Sequence, residues 1–172
     1  CSNRLGYSVM LWSLPEAGLG DGDLVQVYIK SNISQVYVIG TPGSQQKIEV
    51  PFWQITNPTT KAKALKAYEP YKEYQSVYAS VVTDGLPVRY EPVNTSRQVY
   101  RLRKGENLKI LQKGVGTAPV SGSKSLPGDW LWVMTSDGTT GWCFSYNLKL
   151  FDENMPQQAE EVEIVHDETL ET

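Results

Sequence analysis

Short apolar-alternating runs separated by turn residues dominate this chain, a pattern that predicts strands rather than long helices. Ser8-Val9-Met10-Leu11-Trp12 reads as a strand broken by Leu14-Pro15-Glu16, with a turn-rich loop over Gly18–Asp23. In the next run, Leu24–Ile29, alternation places Val25, Val27 and Ile29 on one face. Val36–Ile39 and Lys47–Val50 follow, and Pro51-Phe52-Trp53-Gln54-Ile55 ends the block. Over 59–74 the period changes. Leu65, Tyr68 and Tyr71 fall at helical spacing, and Pro58-Thr59 suits a helix start. Pro70 ends or kinks that helix, which predicts one of about ten residues over 60–69. Strands then resume at Ala79–Val82, Val99–Leu102, Leu108–Leu111, Asp129–Met134 and Gly141–Phe144. Leu86-Pro87-Val88-Arg89 opens an irregular loop to Ser96, and Gln112–Gly128 is a second, longer loop rich in Gly, Pro and Ser.

The expected fold is mainly β. It comprises a tether over 1–6, a β unit over 7–57, a helical linker over 58–76, a second β unit over 77–151 and an acidic tail over 152–172, disordered or helical. The tail carries eight acidic residues and no Lys or Arg, leaving sixteen basic against eleven acidic residues in the body. A mildly basic body attracts anionic polymers or phosphates, and the plainer reading is an ordinary solvated surface. Lys61, Lys63 and Lys66 read as a solvated helix face rather than a phosphate site. No apolar run approaches the roughly 20 residues that span a bilayer.

The reactive inventory is thin. The single histidine, His166, lies in the acidic tail. Cys143 sits in a strand beside Trp142 and reads as a small core residue rather than a nucleophile. No His/Cys cluster has metal-ligand spacing, and Gly114-x-Gly116 lacks the Lys-Ser/Thr of a phosphate-binding loop. The expectation is a non-enzymatic protein with no cofactor, no metal and no nucleic-acid partner. The aromatic set Tyr90, Tyr100, Trp130, Trp132 and Tyr146 is the remaining candidate for ligand binding, with Trp142 beside it. Alternation puts Trp130 and Trp132 on one face, which is either core or groove.

Six short motifs occur in order: Leu86-Pro87-Val88-Arg89, Arg103-Lys104-Gly105-Glu106, Gly128-Asp129-Trp130, Asp137-Gly138, Gly141-Trp142 and Ser145-Tyr146-Asn147-Leu148. Together they resemble the bacterial SH3 family over about 75 residues. The sequence departs from the family pattern at Tyr90-Glu91 and in the 112–128 insertion, both in loops that shape a ligand groove. The resemblance implies an SH3-like β-barrel and a partner such as cell-wall peptide or glycan, or an envelope protein. The first block is similar to the same barrel but lacks the Gly-Trp signature. It reads as a divergent second unit in tandem or as a β-extension of the other barrel.

Cys1-Ser2-Asn3 resembles the mature start of a bacterial lipoprotein, with lipid attached at Cys1. The resemblance implies an extracytoplasmic, lipid-anchored location in the cell envelope, since two or three acyl chains hold a protein firmly to a membrane. The other readings of Cys1 are a fragment boundary and a disulfide to Cys143. Two functional expectations follow. One is an envelope lipoprotein binding peptidoglycan or peptide. The other is a structural or targeting segment of a larger lipoprotein that engages a protein partner, with any activity outside this chain.

Overall fold

The computed structural model describes residues 4–154, and the chain divides between Ser76 and Val77 into two compact units. Cys1, His166 and the acidic tail from Met155 onward lie outside the described residues.

The first unit is an antiparallel meander of β1 (Gly6–Val9), β2 (Leu24–Ser31), β3 (Val36–Gly40) and β4 (Lys47–Pro51). One 3-10 turn, Phe52–Gln54, reverses the chain after β4. The segment that follows returns alongside β1, with Ile55 bridged to Met10 and Thr59 to Tyr7. Gly6 is required there: a Cβ at this position would lie 2.7 Å from the Thr59 carbonyl oxygen. Inward-facing Met10, Val25, Val27, Ile39, Val50 and Ile55 form the core.

Val25 and Val27 are buried as alternation requires, but Ile29 is 56% exposed. A register shift between Val27 and Ile29 breaks the two-residue period and turns Ile29 outward.

The predicted helix is α1 (Lys61–Tyr68), capped by the Thr60 hydroxyl, which accepts the Lys63 N–H at 3.3 Å. Ala64 and Tyr68, four residues apart, pack on Val9, while Leu65 is 48% exposed. The buried stripe therefore runs through Ala64 rather than Leu65. The α-helix ends at Tyr68, just ahead of Pro70 as expected, and the chain continues as a 3-10 segment, Glu69–Tyr74, with Pro70 in its first turn, where a missing N–H costs little. Residues 58–76 thus belong to the first unit, with their own packing against it. The buried Asp21 carboxylate adds a polar tie, accepting the Ser76 N–H at 2.9 and 3.0 Å and the Ser76 hydroxyl at 3.2 Å.

In the second unit the strands are β5 (Val77–Val81), β6 (Leu86–Arg89), β7 (Gln98–Leu102), β8 (Asn107–Gly114), β9 (Val120–Ser121), β10 (Lys124–Ser125), β11 (Trp130–Met134), β12 (Thr140–Phe144) and β13 (Leu148–Asp152). Seven of them form one antiparallel sheet in the order β13-β5-β8-β11-β12-β6-β7. A 3-10 turn, Ser145–Asn147, follows β12 and returns the chain to pair with β5. This is the closing device already seen in the first unit. Leu86–Arg89, expected to open an irregular loop, is a strand paired with β7. The expected 112–128 loop begins later, because β8 runs to Gly114, and it contains the small β9-β10 hairpin. Val88, Leu102, Leu108, Ile110, Leu131 and Val133 fill the interior. Lys109 is also buried, its ammonium donating to the carbonyls of Val77 at 3.1 Å and Ile110 at 2.7 Å. Those bonds replace the water that the charge gives up.

Candidate ligand-binding face

On β11 and β12 the register opposes Trp130 to Phe144 and Trp132 to Trp142. Leu131 and Cys143, the intervening pair, are 2% and 0% exposed and face the barrel interior. The four rings therefore share the other face. They meet edge to face, Trp130 with Phe144 at 5.3 Å and Trp132 with Trp142 at 5.1 Å between centroids. The question whether Trp130 and Trp132 line core or groove has a divided answer. Both lie off the barrel core, but the insertion covers one of them. Trp130 is 4% exposed and its indole N–H donates to the Thr117 carbonyl at 2.8 Å. Thr117 is in turn bridged to Val93. Trp132 remains partly open.

Two glycines make room for these rings. A Cβ on Gly114 would lie 2.2 Å from a ring carbon of Trp142. On Gly116 it would lie 2.1 Å from the Pro92 carbonyl oxygen and 2.9 Å from Cδ1 of Trp130. The Gly-x-Gly pair, read from sequence as an incomplete phosphate loop, instead clears space for indoles.

Two recesses flank the face. The smaller, about 270 Å³, lies between β6, the insertion and the 3-10 turn. Leu86, Trp130 and Phe144 supply apolar lining, while Arg89, Asn94, Asn147 and Tyr146 supply polar groups. The larger, about 550 Å³, is lined by Tyr90, Gln112, Trp132, Thr140, Gly141 and Trp142. Arg97 stands 5.0 Å over the Tyr90 ring. In the first unit a polar recess of about 720 Å³ lies between the Gly18–Asp23 loop and the β3-β4 hairpin. None of the sequence-predicted residues lines it.

The predicted set thus separates into three groups. Trp130 and Tyr146 meet at the smaller recess, and Tyr90 and Trp132 at the larger. Tyr100 joins neither. Its hydroxyl donates to Glu106 at 3.0 Å, and that bond pushes the phenol pKa upward. Arg89 and Trp142, read as fold motifs, line the recesses as well. The signal for Trp142 was present in its cross-strand spacing to Trp132, and for Arg89 in its place at the end of the Leu-x-Val-Arg strand.

Cys143 is fully buried, and desolvation pushes its thiol pKa up to about 12. A thiol held neutral in this way is a poor nucleophile. Among the described residues no group of His, Cys, Asp and Glu is placed to hold a metal ion. No helix among them is long and apolar enough to cross a membrane.

Comparison with known proteins agrees with this architecture. Residues 5–73 match the family model described as "TP0260 family, N-terminal SH3 domain", and residues 84–149 match the bacterial SH3 domain. The chain is therefore mainly β with two SH3-like domains in tandem, and the first block is a domain of its own rather than an extension of the second. The first match includes α1, consistent with its packing on β1. The chain is also 52% identical over 153 residues to a Treponema pallidum (strain Nichols) protein named "Uncharacterized protein". That match covers 89% of this chain and 34% of the relative, so the chain spans about a third of the relative's length.

Proposed function

We propose that this chain is a non-enzymatic module of the bacterial cell envelope whose second domain binds a cell-wall peptide. SH3 domains typically serve as binding modules, and this one carries a face suited to that work. The observation that carries the reading is the pairing of an apolar-lined recess with an exposed ring. Tyr146 is 51% exposed on the 3-10 turn, at the rim of a recess lined by Trp130 and Phe144. Aromatic faces stack on sugars and extended peptides, and the two asparagine amides offer donors and acceptors to a peptide backbone.

In this reading a lipid on Cys1 holds the module to a membrane on the extracytoplasmic side. Metabolic labelling of the full-length precursor with palmitate, compared with Cys1→Ser, tests the anchor. Loss of label in the variant is expected, and an unlabelled parent protein sinks this part.

Binding is tested by co-sedimentation of the full chain with purified sacculi. Tyr146→Ala and Trp132→Ala are the informative variants, because Trp130 is buried and its loss damages packing. A fall in the bound fraction of about tenfold is expected for the pair, the usual weight of an aromatic anchor. Absence of sacculus binding by the parent chain overturns the cell-wall reading.

A second reading has its own support. The match covers only 34% of the longer relative. A tandem of binding domains then serves as the targeting segment of a larger lipoprotein, engaging an envelope protein while any activity resides elsewhere. Capture of a protein partner that competes at Tyr146, with no sacculus binding, is the outcome that favours it.

A further inference from the structure

The smaller recess contains one full charge, and nothing around it answers that charge. Arg89 is at the end of β6 and is partly buried. Its Nη1 donates to the Ser96 carbonyl at 2.7 Å, a neutral acceptor. Among the described residues no carboxylate pairs with this guanidinium. The recess lining includes no Asp or Glu at all. Glu106 holds Tyr100 and the Arg103 N–H, and Asp129 pairs with Lys113 at 3.5 Å.

This arrangement is unusual for a structural arginine. A guanidinium has five donors, and partial removal from water is compensated when a carboxylate or phosphate takes them. Here one carbonyl accepts from one nitrogen, in a recess otherwise lined by Leu86, Trp130, Phe144 and neutral amides. The apolar lining lowers the local dielectric and strengthens whatever ion pair forms there.

We infer that Arg89 anchors a carboxylate of the bound peptide in the recess between β6 and the Ser145–Asn147 turn. The inference rests on the peptide-binding reading above and adds the ligand's charge. A single arginine matches a single negative charge, and a phosphate group would call for a second cation that the lining lacks. The volume, about 270 Å³, accommodates one or two residues rather than a long segment. The ligand is therefore the carboxylate-bearing part of a peptide, with the chain beyond it passing over Tyr146. The carboxylate belongs to a free C-terminus or to an acidic side chain, and the chemistry at Arg89 is the same for both. Asn94 and Asn147 meet the adjoining peptide groups.

The test uses the full chain labelled with ¹⁵N and four acetylated tripeptides followed by amide and indole chemical shifts. The probes are Ac-Ala-Ala-Ala with a free acid or an amide end, and Ac-Ala-Glu-Ala-amide against Ac-Ala-Gln-Ala-amide. At least one carboxylate probe is expected to shift the Trp130 indole and Tyr146 signals. Its neutral counterpart is expected to bind about tenfold more weakly, the increment of a charge-assisted bidentate contact. Which carboxylate probe binds separates the C-terminal from the side-chain source. Arg89→Gln is expected to erase the difference within that pair, and Arg89→Lys to restore part of it. Undisturbed dispersion of the remaining signals establishes that each variant is folded, and loss of carboxylate preference in a folded Arg89→Gln supports the assignment. Equal binding of carboxylate and neutral probes overturns it while leaving peptide binding in place. A preference that survives Arg89→Gln also overturns it. Failure of all four probes to shift the recess signals overturns the peptide reading and this inference together.

Discussion

The carboxylate of Asp21 and the backbone N–H of Ser76 are joined across 55 residues of sequence. The bond ties the long loop before β2 to the last residue of the first unit. Ser76 has φ of 65°, a left-handed backbone that few residues other than glycine adopt without support. Asp21 supplies that support from a site only 2% exposed. Asp21→Ala is expected to destabilise the first unit by about 2–3 kcal/mol, the weight of charge-assisted bonds plus a buried donor left unpaired. Urea unfolding of the parent and variant chains measures this, and a change under about 0.5 kcal/mol would show the tie to be incidental.

Gly114 and Trp142 give a steric prediction. Adding one methyl in Gly114→Ala places a carbon 2.2 Å from the indole, so the ring must move. The expected cost is about 1–3 kcal/mol, as for other overpacked sites. Because Trp142 lines the larger recess, a shift in tryptophan emission should accompany the loss of stability. Unchanged emission and stability together contradict the packing described.

Trp130 and Tyr146 line the same recess, yet their losses should read out differently. Trp130→Ala removes a buried ring and its bond to Thr117, for an expected loss of about 3–5 kcal/mol. Tyr146→Ala removes a half-exposed ring and should change stability by no more than about 0.5 kcal/mol. Thermal unfolding of the two variants beside ligand titration separates the roles. Equal destabilisation would place Tyr146 in the core.

Cys143 sets a pH dependence at the alkaline end. Its folded thiol pKa is about 12, above the ordinary value of 9.0. The folded state therefore binds a proton that the unfolded state releases. Its contribution is fully present below pH 9 and is lost as the pH rises towards 12. At pH 8 iodoacetamide should leave Cys143 unmodified in the folded chain and modify it in urea. Peptide mapping by mass spectrometry distinguishes it from Cys1, and rapid modification of native Cys143 contradicts its burial.

Much of this architecture was legible in the sequence because turn residues and alternation act locally. The Asp137-Gly138 turn illustrates why: Gly138 takes φ of 90°, and Asp137 accepts the Thr139 N–H. Both effects depend on neighbouring residues alone. What escaped depended on distant contacts. The shift that turns Ile29 outward is set by pairing with β3. The burial of Ala64 in place of Leu65 is set by how α1 meets β1. Coverage of Trp130 comes from residues 115–119, whose path no local pattern encodes. At the candidate site the aromatic residues were visible and their grouping was not. Tyr100 sits two residues from Leu102 on the same strand, yet its hydroxyl is taken by Glu106, four residues beyond Leu102.

The pairing of β13 with β5 bears on mechanics. It sets Val77 opposite Asp152, so the polypeptide enters and leaves the second unit at one point. Tension between those ends would act across the two strands rather than along them. The bonds from Val77–Asp152 to Val81–Leu148 would then open in succession, each bearing the load by turn. A domain built this way yields at low force by peeling. Pulled between these two ends, it would extend as a compliant spacer.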